Sequence, residues 1–369
     1  MREEDFMSIF FKILNTGYNS MIRLFSGFIP TKEGRKSFRS KFLKYKKNYT
    51  SSPSFKNKVH GKIYYPYYSK SAKQENEEYK IYNKDGQAMR TFFLRDDNMS
   101  NCPTWWQSKY FIFDRFNYGL DVHFYSHMAM LEQMGNPTKK FGMYIEPESL
   151  VPEDYKIFDN NKGLEKDFDL IFTHTERFLE KFDNARFFSV CAKVWHVLED
   201  ENGKLPENWL DLKTKNASIV SSDKTMCDLH KFRLELARKC KRENLADTFG
   251  TFDGGDFVSI EKSLTNYRYS FAIENEIEGY WFTEKILNCF ANMTIPIYLG
   301  ATQIDKFFNP DGIIKISPKD LDNVEKILKN CSEEEYLARL AAVKENYYKA
   351  LKYRNSYDLL YETYLQGQV

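Results

Sequence analysis

Residues Tyr269 to Gly300 read YSFAIENEIEGYWFTEKILNCFANMTIPIYLG. A β-rich run, Tyr269 to Ile273, ends in Glu274-Asn275, and a polar loop leads to Thr283-Glu284-Lys285. From there the spacing predicts a helix with Ile286, Leu287, Phe290 and Met293 on one face, and then an apolar strand, Ile295 to Leu299. Such a βαβ unit puts the loop and the helix start at the carboxyl end of the first strand, where open α/β sheets bind ligands. Glu274, Asn275, Glu284 and Lys285 are therefore expected to share one crevice. A lysine in the first helical turn opposes the helix dipole. An anionic ligand beside Lys285 would resolve that conflict, because helix N-termini bind phosphates through free N–H groups.

The same alternation extends to both sides. Upstream lie an apolar run at Tyr110 to Phe113, a predicted helix from His127 to Met134, and strands at Phe141 to Ile145 and Phe168 to Thr173. A helix at Glu176 to Phe182 and a strand at Phe187 to Val190 follow. The hydrophilic stretch Glu199 to Lys215 is the best linker candidate. Beyond it we expect a strand at Ala217 to Ser221, a helix at His230 to Arg242, a last strand at Ile313 to Ile316 and mostly helix from Leu321 to Leu365. Strands alternating with helices indicate parallel α/β architecture. The expected organisation is a terminal segment 1–47, a first α/β domain 48–210, a second α/β domain 211–345 and a C-terminal helix 346–369.

The terminal segment has its own character. Phe6, Ile9, Phe10, Ile13 and Leu14 make an apolar stripe at helical spacing, and Lys32 to Lys47 carries eight Lys or Arg and one Glu. Such a segment can dock on an anionic membrane surface, or it can pack on its own domain with a solvated basic tail. The net charge of +2, from 54 basic and 52 acidic residues, gives no global field for nucleic acid. Six cysteines without a CxxC pair fit reduced thiols and a cytoplasmic location. No segment reaches the ~18 to 20 apolar residues of a membrane span, and no signal peptide is read.

The motif FAIEN…FTEKILN…IPIYLG resembles the donor-site motif of the α-1,3/4-fucosyltransferases, glycosyltransferase family 10, which reads roughly F-E-N, a short spacer, T-E-K, then P-V-V-L-G. The likeness is strong over 269–300 and weaker from Phe141 to Ile316. It implies the GT-B fold: two Rossmann-like domains facing a cleft, with C-terminal helices. It also implies an inverting transfer of fucose from GDP-fucose to a hydroxyl of a glycan acceptor, in α-1,3-type linkage, with lipopolysaccharide or capsule among the acceptors. Neither a metal nor a further cofactor would be required. Animal members are Golgi proteins with an N-terminal anchor, and the absence of one here points to a soluble type of enzyme.

Such a transfer needs a carboxylate to take the proton of the acceptor hydroxyl. Phe141-Gly-Met-Tyr-Ile-Glu146-Pro-Glu-Ser places Glu146 just past a strand, with Pro147 fixing the backbone beyond it. The segment resembles the family's F-E-S-P, whose Glu is the proposed base, and Glu148 is the rival two residues on. Two cations would meet the diphosphate, Lys285 and Arg233, the latter in the helix after SIVSSDK. That segment resembles the family's Val-Ser-Asn followed by a helical Arg, so Ser221 and Ser222 join the donor site. Ser222 stands where the family usually has Asn, the spacing to Arg233 is longer than usual, and Arg238 and Arg242 share the helix. Glu284 would bind the ribose; Glu274 and Asn275 would shape the pocket, unless Glu274 is a buried acid capping a local turn. Trp281 stands where the family has an acceptor-contacting Tyr, keeping a stacking face but losing the hydroxyl.

Other patterns are set aside. Glu276 and Glu284 have an E-x7-E spacing, but the T-E-K context fits family 10 better. His123 and His127 lack the Glu of a zinc H-E-x-x-H site, and Asp167-Phe168-Asp169 opens a strand far from the donor loop. The alternatives to a fucosyltransferase are a same-fold enzyme using another nucleotide sugar, or a non-catalytic glycan-binding protein.

Overall fold

The computed structural model describes residues 90–96, 108–114, 118–132 and 134–369, with Gly34 alone ahead of them. The expected amphipathic helix and basic run of residues 1–47 lie outside the described residues, Gly34 apart. The chain divides into two compact units, residues 1–143 with 157–170 and 369, and residues 144–156 with 171–368.

In the first unit, strands β1 (Arg90–Arg95), β2 (Phe111–Asp114), β3 (Val122–Ser126) and β4 (Lys139–Met143) run parallel in the order β2-β1-β3-β4. Aromatic side chains fill one face: Phe92, Phe111, Phe113, Phe124 and Phe141 are buried, with ring centroids 4.8 Å apart for Phe92–Phe111 and 4.9 Å for Phe124–Phe141. β3 is a strand that the sequence reading does not assign, and it ends just before the helix expected from His127 to Met134. Only one 3-10 turn, His127–Leu131, follows it, and His127 sits in the left-handed region at φ 51°, which an α-helix cannot accommodate. His123 is buried with its Nδ1 2.8 Å from the Tyr125 hydroxyl, so it is a packed core histidine.

In the second unit, β5 (Leu170–Thr173), α1 (Glu176–Lys181) and β6 (Ala185–Phe187) form a βαβ turn with the two strands parallel. β6 ends where the sequence predicts a strand to begin; Phe188 and Val190 are buried beyond it. A five-stranded sheet contains β7 (Lys215–Val220), β8 (Asp247–Phe249), β9 (Tyr267–Ile273), β10 (Ile295–Leu299) and β11 (Ile314–Lys315), all parallel, in the order β11-β10-β9-β7-β8. Helices α2 (Asp228–Glu243), α3 (Ile260–Leu264) and α4 (Glu284–Ala291) connect them. Every residue of β10 is buried, the mark of a parallel strand covered on both faces. Two all-parallel α/β sheets are what the expected fold class requires.

Four helices, α5 (Val324–Asn330), α6 (Glu333–Ala338), α7 (Leu340–Ala350) and α8 (Ser356–Leu360), complete this unit. The Tyr336 hydroxyl donates to Met293 O at 2.6 Å and that of Tyr347 to Leu198 O at 2.9 Å. Met293, predicted on the helix face, lies past the end of α4 with φ 57° and still enters the core. Within the hydrophilic stretch 199–215, Trp209 and Lys213 are buried. The Lys213 amine lies 2.6 to 3.3 Å from Leu264 O, Tyr267 O, Asn292 O and Thr294 Oγ1, and burial holds its pKa well below the ordinary lysine value.

Candidate active site

The neighbouring strands β7 and β9 end side by side. β7 leads into Ser221-Ser222 and β9 into Glu274-Asn275. A cavity of about 390 Å³ opens there. Ser221, Ser222, Arg233, Asn275, Glu284 and Lys285 line it, with His230, Trp195 and Phe257 among the others. Gly250 lets the next loop close over Ser221: a Cβ on it would fall 2.0 Å from Ser221 O, and its φ of +103° excludes most side chains.

α4 begins at this cavity because of three residues. Thr283 is its N-cap, extended in backbone, with its hydroxyl accepting from Lys285 N at 3.4 Å. Glu274 is wholly buried behind it, accepting from Thr283 N at 2.9 Å and from Thr283 Oγ1 at 2.7 Å. Gly300 makes room for that carboxylate, since a Cβ there would meet Glu274 Cγ at 2.4 Å. Glu274 is thus the buried acid that holds a local turn, and it does not line the cavity.

The Lys285 ammonium lies 3.1 Å from Glu284 Oε1, 3.1 Å from Thr283 Oγ1 and 3.5 Å from Glu274 Oε2. Burial works against the charge, but Glu284 and Glu274 outweigh it and hold the pKa above the ordinary lysine value. The conflict of Lys285 with the helix dipole is therefore already met by two carboxylates. Burial opposes the charge of Glu274 too, and its pKa is raised even with Lys285 close by.

Arg233 reaches in from α2. Its Nη1 donates to Ile273 O at 2.8 Å and lies 3.5 Å from Asn275 Oδ1. Burial lowers its pKa, against the pull of Glu274 and Glu284, and its charge in turn acts on Lys285. His230, one helical turn earlier, has Nε2 3.0 Å from Asn275 Oδ1. An amide oxygen only accepts, so Nε2 carries the proton; burial, then Arg233, lowers the pKa to about 4, leaving the ring neutral. The sequence reading missed His230. Its place three residues before Arg233 on one helix face was the available signal.

Glu146 lies outside this lining but close to it. Ile145 O meets the Cys191 thiol at 3.4 Å, and Cys191 O accepts from Glu284 N at 3.1 Å. Burial first, then the Glu146 and Glu284 carboxylates, push the Cys191 pKa well up. Ser149 ties the same loop to the end of β9, its Oγ donating to Asn275 O at 3.2 Å. The rival Glu148 is instead paired with Arg177 at 3.0 Å. Trp281, expected to offer an acceptor a stacking face, is buried with its ring 4.2 Å from His174 and does not line the cavity. Among the set-aside patterns, Glu276 accepts from Ser149 N at 3.3 Å, and Asp169 bridges Lys139 Nζ and Lys140 N at 2.8 and 2.9 Å.

Among the described residues, no group of three or more His, Cys, Asp or Glu is placed to hold a metal ion, and no helix is long and apolar enough to cross a membrane.

Residues 210–368 match the family model described as glycosyltransferase family 10 (fucosyltransferase) C-term. Among solved structures, an α1,3-fucosyltransferase with GDP is similar at 16% identity and TM-score 0.46, over 84% of this chain and 96% of that one. An α1,3-fucosyltransferase with GDP-fucose matches at 16% identity and TM-score 0.45, over 76% and 91%. A sucrose-phosphate synthase from Thermosynechococcus elongatus matches at 11% identity and TM-score 0.45, over 67% and 72%.

Proposed function

We propose that this chain, whose residues 210–368 match the family model of the family 10 fucosyltransferases, moves fucose from GDP-fucose to a hydroxyl of a glycan acceptor, with inversion. The observation that carries the reading is one cavity at the carboxyl ends of β7 and β9 lined by Ser221, Ser222, Arg233, Asn275, Glu284 and Lys285. It combines two cations with an acid suited to vicinal hydroxyls.

In this reading Glu146 takes the proton of the acceptor hydroxyl. The oxygen attacks the anomeric carbon as the bond to the β-phosphate oxygen breaks, and GDP leaves with the bonding pair. One displacement inverts the centre. Arg233 and Lys285 face the negative charge that grows on the leaving group, an interaction stronger in the transition state than before it. Bound phosphate would compete with Glu284 and Glu274 for the Lys285 ammonium, freeing Glu284 to accept from the ribose. Asn275, with its side-chain oxygen already engaged by His230, shapes the pocket wall. No metal enters this scheme, because the two cations take that role. The apolar stripe and basic run of residues 1–47 would hold the enzyme on an anionic membrane, and vesicle sedimentation with and without that segment tests this.

A donor-hydrolysis screen across nucleotide sugars tests the function. GDP-fucose should be consumed fastest. Faster turnover of a uridine sugar would keep a glycosyltransferase but remove fucose, and no turnover of any donor would leave a glycan-binding protein.

A further inference from the structure

We propose that Tyr155 and His174, two buried residues outside the donor cavity, are positioning residues that set the backbone of Glu146; this rests on reading Glu146 as the base. Glu146 sits on a loop, and a base there needs rigid support, because a displacement of ~1 Å can cost ~10² in rate.

The Tyr155 hydroxyl is 2.8 Å from Glu146 O and 3.0 Å from His174 Nε2. A carbonyl oxygen only accepts, so the single tyrosyl proton goes to Glu146 O. Burial pushes the Tyr155 pKa well above its ordinary value, so that proton is kept. The hydroxyl oxygen must then accept from His174, which fixes the imidazole as the tautomer protonated at Nε2. The ring of His174 is held by Trp281 at 4.2 Å, and Glu278 Oε2 stands 3.7 Å from the same nitrogen. Tyr155 is held in turn by Tyr144 at 4.5 Å and by Phe178, stacked at 5.9 Å. On the other side of Glu146, the Cys191 thiol meets Ile145 O. Both peptide planes flanking the Glu146 α-carbon are therefore fixed, one from the end of β5 and one from the segment that receives the start of α4.

Four variants test this against Glu146→Gln in the full chain. Tyr155→Phe keeps the ring packing and removes only the bond to Glu146 O. It should lower kcat about tenfold or more while leaving the KM for GDP-fucose and the Kd for GDP unchanged. His174→Leu should match it, and the double variant should be no worse than either, because both act through one hydroxyl. His174→Gln, whose amide can donate to that hydroxyl, should recover most of the activity. Wild-type kcat in Tyr155→Phe with an inactive Glu146→Gln would overturn the positioning role and leave the base standing. Equal losses of kcat and GDP affinity in Tyr155→Phe would overturn it as well, marking general damage. Wild-type activity in Glu146→Gln would remove the base reading itself.

Discussion

Two carboxylates on one loop, Glu146 and Glu148, are the candidates for the proposed base. Glu148 is ion-paired with Arg177, and the Glu146 carboxylate acts on Cys191 together with Glu284 and Lys285. Glu146→Gln should lower kcat by ~10² or more, the usual scale of general-base catalysis, with GDP affinity unchanged. Glu148→Gln should stay near wild type; the opposite ranking in steady-state kinetics would exchange their roles. Glu278 provides a test by pH. Burial first, and Glu276 second, raise its pKa from 4.5 to about 7. Between those values the folded state binds more protons than the unfolded one, so the stability from this group is full below pH 4.5 and lost as pH rises through about 7. The Glu278→Gln variant should lack that loss, on the order of 1–3 kcal/mol. Urea denaturation at acidic and mildly basic pH reads it, and parallel losses in both proteins would contradict the raised pKa.

Among the elements, the β9–α4–β10 unit ties the proposed donor site to stability. Glu274, Thr283 and Gly300 form one packed set: the carboxylate caps the start of α4, and the glycine leaves room for it. Gly300→Ala forces a Cβ to within 2.4 Å of Glu274 Cγ and 2.5 Å of Tyr298 Oη, both in the core. It should destabilise by about 1–3 kcal/mol, the range for overpacking, and weaken GDP binding by moving Lys285. Thermal denaturation checks the first effect, and an unchanged melting temperature would contradict the packing described. This unit was legible because its signals are local: an apolar strand, a Thr cap and a second strand buried on both faces. β3 was not legible, since its alternation includes His123 and Tyr125, which pack inside through a bond to each other. Trp281 looked like a sugar platform by position, but only the fold reveals His174 against its ring.

At the scale of the whole molecule, the candidate site joins segments far apart in sequence: the loop after β4, the ends of β7 and β9, and the starts of α2 and α4. Periodicity gave the strands and helices separately, and the parallel rule put strand ends together. The resemblance to family 10 selected Glu146, Arg233 and Lys285 from many acids and bases. Contacts made only in three dimensions stayed hidden, such as His230 on Asn275, Tyr155 on Glu146 O and the oxygen cage of Lys213. In the proposed mechanism Arg233 and Lys285 face the same diphosphate. Calorimetry of GDP and UDP against wild type, Arg233→Ala and Lys285→Ala tests it most directly. GDP should bind more tightly than UDP to wild type. Each substitution should weaken GDP by about tenfold or more, as expected for a lost charged hydrogen bond, and the double variant should lose less than the sum. Unchanged GDP affinity in both single variants would contradict the account.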